Sequence, residues 1–169
     1  PIFRNATGRS LNARTMRDRE AINRFCAFKL LRPEAYRGDM DTFLAQGLAA
    51  LANGSDAERS ELQKQFEDAM TLNAELFGEH AFRKSLANGP SATRSVINIS
   101  LFEVCAVAMA GLGPLDAQQK TYLREAIIEL LNEATFINAI TYSTNSTRQV
   151  RARFGMMDAV IAELQRAEI

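Results

Sequence analysis

The chain has 169 residues, 47% of them hydrophobic, and its 20 Lys/Arg balance 20 Asp/Glu to a formal charge of zero. That length and apolar share suit one domain, residues 1–169, with an ample core. The zero charge excludes a global polyelectrolyte argument for nucleic acid or membrane, and the longest apolar run, 104–112, is too short to span a bilayer.

The zero is an average of two unlike parts. Residues 1–37 carry nine Lys/Arg against Asp18, Glu20 and Glu34, a net of +6, and the remainder carries 11 basic and 17 acidic side chains, a net of −6. The basic part is a candidate anion-facing surface, or a face that docks on an acidic partner. Cys26 and Cys105 stand in apolar surroundings and read as inert buried thiols. Two cysteines give neither a metal spacing nor a disulfide framework, which suits a cytoplasmic protein.

Helical periodicity dominates and no alternating strand pattern occurs, so the expected fold is all-α. It is an irregular bundle of about six to seven helices around a central buried helix at 96–111. Ser10 or Asn12 can cap a first helix that runs to Leu31 and ends at Arg32-Pro33. Its apolar face is read as Ile22, Phe25, Cys26 and Leu30. Arg17 and Arg24 are seven apart and fall on another face beside Arg14, as a basic stripe or as an ordinary solvated face. A helix follows from Met40 to Ala52, with Asp39 or Asp41 at its cap. Ser55 with Glu58 forms a capping box for a long helix that Gly78 stops. His80, the one histidine, is expected at the surface or in a cap.

Residues 83–95 are a polar loop with Arg83, Lys84 and Arg94 uncompensated. The central helix at 96–111 carries one charge, Glu103. It pairs with an arginine of the first helix, or else faces water at a gap in the packing. Asp116 starts a helix to Asn132 with Leu123, Ile127, Leu130 and Leu131 inward, and a short helix covers 135–140. Ser146 or Thr147 caps the last helix, whose stripe is Val150, Phe154, Met157, Ile161 and Leu164. Gly155 within it suggests close packing.

There is no glycine-rich phosphate loop, His-Glu-x-x-His, Cys-x-x-Cys or nucleophile elbow. No metal site and no complete hydrolytic centre is expected in these residues. The one constellation with anion-binding logic is the opening. A turn at Gly8 can present backbone N–H groups, Asn5 and Thr7 add short polar side chains, and Arg4, Arg9, Arg14 and Arg17 surround them.

Several segments together resemble one family. They are Phe3-Arg4-Asn5-Ala6-Thr7-Gly8-Arg9-Ser10-Leu11, Met16-Arg17-Asp18-Arg19-Glu20, and Arg24-Phe25-Cys26-Ala27-Phe28. Further on come Asp39-Met40-Asp41-Thr42-Phe43-Leu44, then Phe77-Gly78-Glu79-His80-Ala81-Phe82-Arg83-Lys84. Ile97-Asn98-Ile99-Ser100-Leu101-Phe102-Glu103-Val104 follows, and last the stretch 143–154 with Arg148, Val150 and Arg153. In this order they resemble the helical C-terminal part of the ParB-like, restriction-associated group typified by the GmrSD modification-dependent endonucleases.

The resemblance implies a role in DNA restriction or phage defence. It implies a phosphate site, for a nucleotide or for DNA, held by Asn5, Thr7, Gly8, Arg9, Arg17 and Arg24. Glu103, Arg83 and Asn98 would support it. The family's Asp-Gly-Gln-Gln-Arg motif does not occur in this sequence. The chain, opening at Pro1 within a motif-like turn, is therefore expected to be a fragment whose partner is a missing N-terminal domain. NTP and Mg would be cofactors of the full-length NTP-dependent nuclease or NTPase, with no cofactor held by this chain alone. DNA and a second copy of the chain are the other expected partners. The alternative is a non-catalytic helical interaction or dimerisation module.

Overall fold

In a computed structural model, residues 2–11 and 16–166 are described. They contain eight α-helices. These are α1 (Ile2–Ala6), α2 (Arg17–Leu31), α3 (Met40–Asn53), α4 (Asp56–Phe77), α5 (Ile99–Met109), α6 (Ala117–Leu130), α7 (Ala134–Ala139) and α8 (Thr147–Arg166). Short 3-10 turns lie at Pro33–Ala35, Gly78–His80 and Lys84–Asn88. Among the described residues there is no strand, only one antiparallel bridge between Arg83 and Ile97. No described helix is long and apolar enough to cross a membrane.

The caps follow from local sequence. Asp39 accepts from the Thr42 N–H at 3.1 Å and Ser55 from that of Glu58 at 3.2 Å. Asp116 accepts from the Gln119 N–H at 2.8 Å and Ser146 from that of Gln149 at 3.3 Å. Each satisfies a donor that the first helical turn leaves open. Two boundaries differ from expectation. The opening stretch forms the short α1 instead of a turn alone. The next helix starts at Arg17, after Met16 in the left-handed region at φ 54°, and not from Ser10; Asn12 and Arg14 lie outside the described residues. The central helix is also shorter than 96–111. Val96 is 84% exposed, Ile97 is taken by the bridge, and Asn98 caps α5 by accepting from the Leu101 N–H at 2.8 Å.

α5 is the axis, buried on nearly all sides and packed by α2, α4 and α8. α6 and α7 lie against α8, α3 against α2, and α1 against α4. Burial turns α2 differently from its apolar spacing: Ala21, Arg24, Phe25, Cys26, Ala27 and Phe28 face inward, while Ile22 and Leu30 are about two-fifths exposed. Phe28 joins α2 to α3 and α8 through Phe43 at 4.8 Å and Phe154 at 4.7 Å between centroids. Both cysteines are buried and free, and burial pushes the Cys105 thiol up to about 12. Lys29 donates to the Ala110 carbonyl at 2.8 Å, at the carbonyl end of α5, where a cation is favoured.

Gly47 sets the spacing of α2 and α3. A Cβ there would stand 2.6 Å from the Ala27 Cβ and 2.7 Å from its Cα. Gly47→Ala is expected to destabilise by about 1–3 kcal/mol in a denaturant melt, although alanine favours helix. Ala27→Gly in the same chain should recover part of the loss, because the contact is between these two residues. Gly155 differs: it is exposed and a Cβ would meet nothing within 4 Å, so it does not serve close packing.

Candidate functional site

The opening turn is built by the end of α1. The N–H groups of Thr7, Gly8, Arg9 and Ser10 donate to the carbonyls of Phe3, Asn5, Arg4 and Thr7, at 3.0, 3.0, 2.8 and 3.1 Å. The Thr7 hydroxyl, buried, donates to the Phe3 carbonyl at 2.8 Å. The donors expected to meet a phosphate are therefore consumed in closing the helix. Gly8 and Arg9 both lie in the left-handed region, at φ 58° and 56°, a conformation that glycine adopts freely and arginine does not. Asn5 and Arg9 stay exposed.

What approaches this turn comes from the 83–95 loop. Arg83 is 3% exposed. Its Nη2 donates to the Thr7 carbonyl at 3.2 Å and to Ser10 Oγ at 2.6 Å, and its Nη1 donates to the Ser95 carbonyl. Arg94, exposed, places Nη1 3.3 Å from where a Cβ on Gly8 would stand. Among the described residues neither Arg83 nor Arg94 has an acidic side chain within ion-pair distance. Burial, and then the charge of Arg94, hold the Arg83 guanidinium below its usual value against the opposing pull of Glu79. Gly8 thus sits under two arginines that have no ion-pair partner among the described residues.

The loop carrying them is held from inside. His80 is buried, contrary to the surface or capping role expected of it. Its Nε2 lies 3.3 Å from the Pro90 carbonyl and its Nδ1 2.9 Å from Ser85 Oγ. A carbonyl only accepts, so in the neutral ring the proton sits on Nε2 and Nδ1 accepts from the serine. Ser85 and Ser95 each accept the other's backbone N–H at 3.1 Å.

Arg24 and Glu103 belong to a separate, interior cluster. Glu103 is fully buried. Its Oε2 accepts from Arg24 Nη1 at 3.0 Å, and its Oε1 accepts from Arg153 Nε at 2.8 Å and from Arg153 Nη2. The expected partner from the first helix is Arg24; Arg153 is a second partner that sequence reasoning missed. Burial works against the charge of Arg24, and Glu103 and then Glu20 outweigh it, so its pKa stands above the ordinary value. Arg24 also donates to Glu20 at 3.0 Å and to Asn145 Oδ1 at 3.4 Å. Arg153 donates to the carbonyls of Thr144 at 2.7 Å and Ala139 at 3.3 Å.

The basic stripe is therefore not formed. Arg17 begins α2 in solvent, while Arg24 enters the core where α2 meets α5. Asn98 caps α5 and donates to the Ile140 carbonyl at 2.7 Å. Of the residues singled out in the sequence, the structure gathers Thr7, Gly8, Arg9 and Arg83. Glu103 and Arg24 lie in the interior cluster, Asn98 at the start of α5, and Arg17 at the start of α2. Arg94, legible only as one of three unpaired cations in a loop, joins the gathered set.

This arrangement fits an oxyanion better than a cation. A phosphate could accept from Arg94 and relieve the repulsion between two adjacent guanidinium groups. Among the described residues no group of three or more His, Cys, Asp or Glu side chains is placed to hold a metal ion. No family model, curated protein or solved structure matches this chain.

Proposed function

We propose that this chain is the helical part of a ParB-like, GmrSD-type protein of DNA restriction or phage defence. In this reading its opening turn forms one side of a site for a DNA or nucleotide phosphate, and the chemistry, with NTP and Mg, is supplied elsewhere in the parent protein. The observation that carries the reading is the pair Arg83 and Arg94 over Gly8 without an acidic partner among the described residues. A buried cation beside a like charge is costly unless an anion compensates it. Arg83 orients the turn, Arg94 and Arg9 reach the anion, and Thr7 holds the turn closed.

The test is an anisotropy titration of labelled duplex DNA across a salt series, with Arg94→Ala and Arg9→Ala. Both side chains are exposed, so the fold is retained. Each variant is expected to weaken binding evenly across sequences and to flatten the salt slope by about 0.9 per lost phosphate contact. Unchanged affinity and slope in both would remove the reading.

A second reading, an interaction or dimerisation module, is favoured by a groove between α6 and α8. Its floor is Ala126, Leu130, Met156 and Val160, and Glu125, Glu129, Glu133 and Glu163 line it as well. Such a surface suits a basic partner, which could be the arginine-rich opening of a second copy. Light scattering across a salt series separates the two: a dimer at low salt that loosens as salt rises, with no binding of DNA, supports the module.

A further inference from the structure

We propose that the hollow beside Tyr142 receives an unpaired nucleobase, extending the arginine cluster into a site that reads both phosphate and base. This rests on the phosphate-site reading above and names its ligand more closely.

Tyr142 is 65% exposed in the turn that follows α7. Of the other two tyrosines, Tyr36 is fully buried and Tyr122 half-buried. Beside it lies a hollow of about 240 Å³ lined by Thr135, Asn138, Tyr142, Arg148, Gln149 and Ala152. Drug-sized ligands fill roughly 300–1,000 Å³, so this is room for one flat ring with little else. The lining matches a base. Tyr142 offers a ring face, on which any base can stack. Asn138 and Gln149 each offer an amide with donors and an acceptor for base edges. Arg148, exposed and without an ion pair among the described residues, offers a guanidinium to the attached phosphate. No acidic side chain lines the hollow.

The platform is held in place from below. The turn after Tyr142 passes through Ser143 in the left-handed region, at φ 48°, which a serine adopts only when its surroundings impose it. They do so through the interior cluster. Arg153 donates to the Thr144 carbonyl at 2.7 Å, Arg24 to Asn145 Oδ1 at 3.4 Å, and the Tyr36 hydroxyl to the Asn145 carbonyl at 2.5 Å. An aromatic side chain left in solvent on a turn fixed this firmly is pre-organised for stacking.

One side-chain contact links the 83–95 loop to the turn before Tyr142. Lys84 follows Arg83 in the chain, and its Nζ donates at 2.6 Å to Thr141 Oγ1, the neighbour of Tyr142. Lys84 thus ties the loop that carries Arg83 and Arg94 to the turn that carries Tyr142, whose hollow Arg148 also lines.

The experiment uses the full chain and three probes: a fluorescein-labelled oligo-dT strand of about ten nucleotides, a duplex of the same length, and a free mononucleotide. Tyr142→Ala is expected to weaken strand binding about 5- to 100-fold, Tyr142→Phe to stay near wild type, and duplex binding to be unchanged in both. Arg94→Ala is expected to weaken strand and duplex alike. Circular dichroism checks that both Tyr142 variants keep their helix. A mononucleotide that binds with the same Tyr142 dependence and as tightly as the strand identifies a free nucleotide as the source of the base. A tighter strand identifies unpaired nucleic acid. Equal strand binding by wild type and Tyr142→Ala, or equal losses in the Ala and Phe variants, would overturn the nucleobase site. If duplex binding with its Arg94 dependence survives that result, the phosphate-site reading stands. If wild type binds none of the three probes, both fall.

Discussion

Glu103→Gln is expected to lower the unfolding free energy by about 3–5 kcal/mol, the loss typical of breaking a buried ion pair from one side. Both carboxylate oxygens are in use, one by Arg24 and the other by Arg153, and all three groups lie in the interior. An amide keeps one acceptor oxygen and turns N–H donors toward the second guanidinium, so one arginine stays as a buried cation facing a donor. For a chain of this size about 1 kcal/mol moves the melting midpoint by about 2–4 °C, so the shift is easily read by thermal or denaturant melts. A change below about 1 kcal/mol would mean that water reaches the cluster. Replacing all three together, as Glu103→Leu with Arg24→Met and Arg153→Met, should recover most of the loss, because no charge is left unpaired. That variant also frees the turn at 141–146, so it would retain stability while losing the base binding proposed for Tyr142.

Phe102→Ala is the second large expected effect, at about 3–5 kcal/mol for truncating a fully buried aromatic ring. Phe102 packs edge to face against Phe82 at 4.8 Å and against Phe3 at 5.9 Å between centroids. It is the floor on which α1 and the approach to Arg83 rest. Beyond the fall in melting midpoint, limited proteolysis should then cut the opening segment at protease levels that leave the wild type intact. If the midpoint falls and the opening segment stays protected, α1 is held by Phe66 instead, whose ring lies 5.9 Å from that of Phe3.

How much of this was legible in the sequence follows from the range of the forces involved. Helix starts at Ser55 and Asp116 were readable, and those at Asp39 and Ser146 as one of two candidates each, because a cap is a contact across three residues. The burial of Glu103 was readable because α5 has no polar face for it, and that demanded a cation. Which cations answered was only half readable. Arg24 stood on the expected helix, while Arg153 lies on the cleanest amphipathic helix, where a charge looks like solvent-facing decoration. α1 was hidden by its length, since five residues carry almost no periodicity. The Gly8 turn was recognised, but its chemistry was read inverted: its N–H groups close α1, and arginines from a loop some 75 residues away supply the charge. His80 was read from its lack of metal partners, whereas its burial depends on Ser85 and Pro90 folding back over it.

The interior cluster also sets an order of events. Arg24 and Glu103 are 79 residues apart, and Arg153 comes a further 50 residues along. While the chain is being synthesised, every helix through α5 can be present and Glu103 still have one of its oxygens facing no arginine. Sealing the interior therefore waits for α8, and the turn at 141–146 gains its fixed shape in the same step. A nascent chain halted before α8 should hold its central helix loosely and remain open to proteases. α8 then acts as the closing latch of this interior cluster.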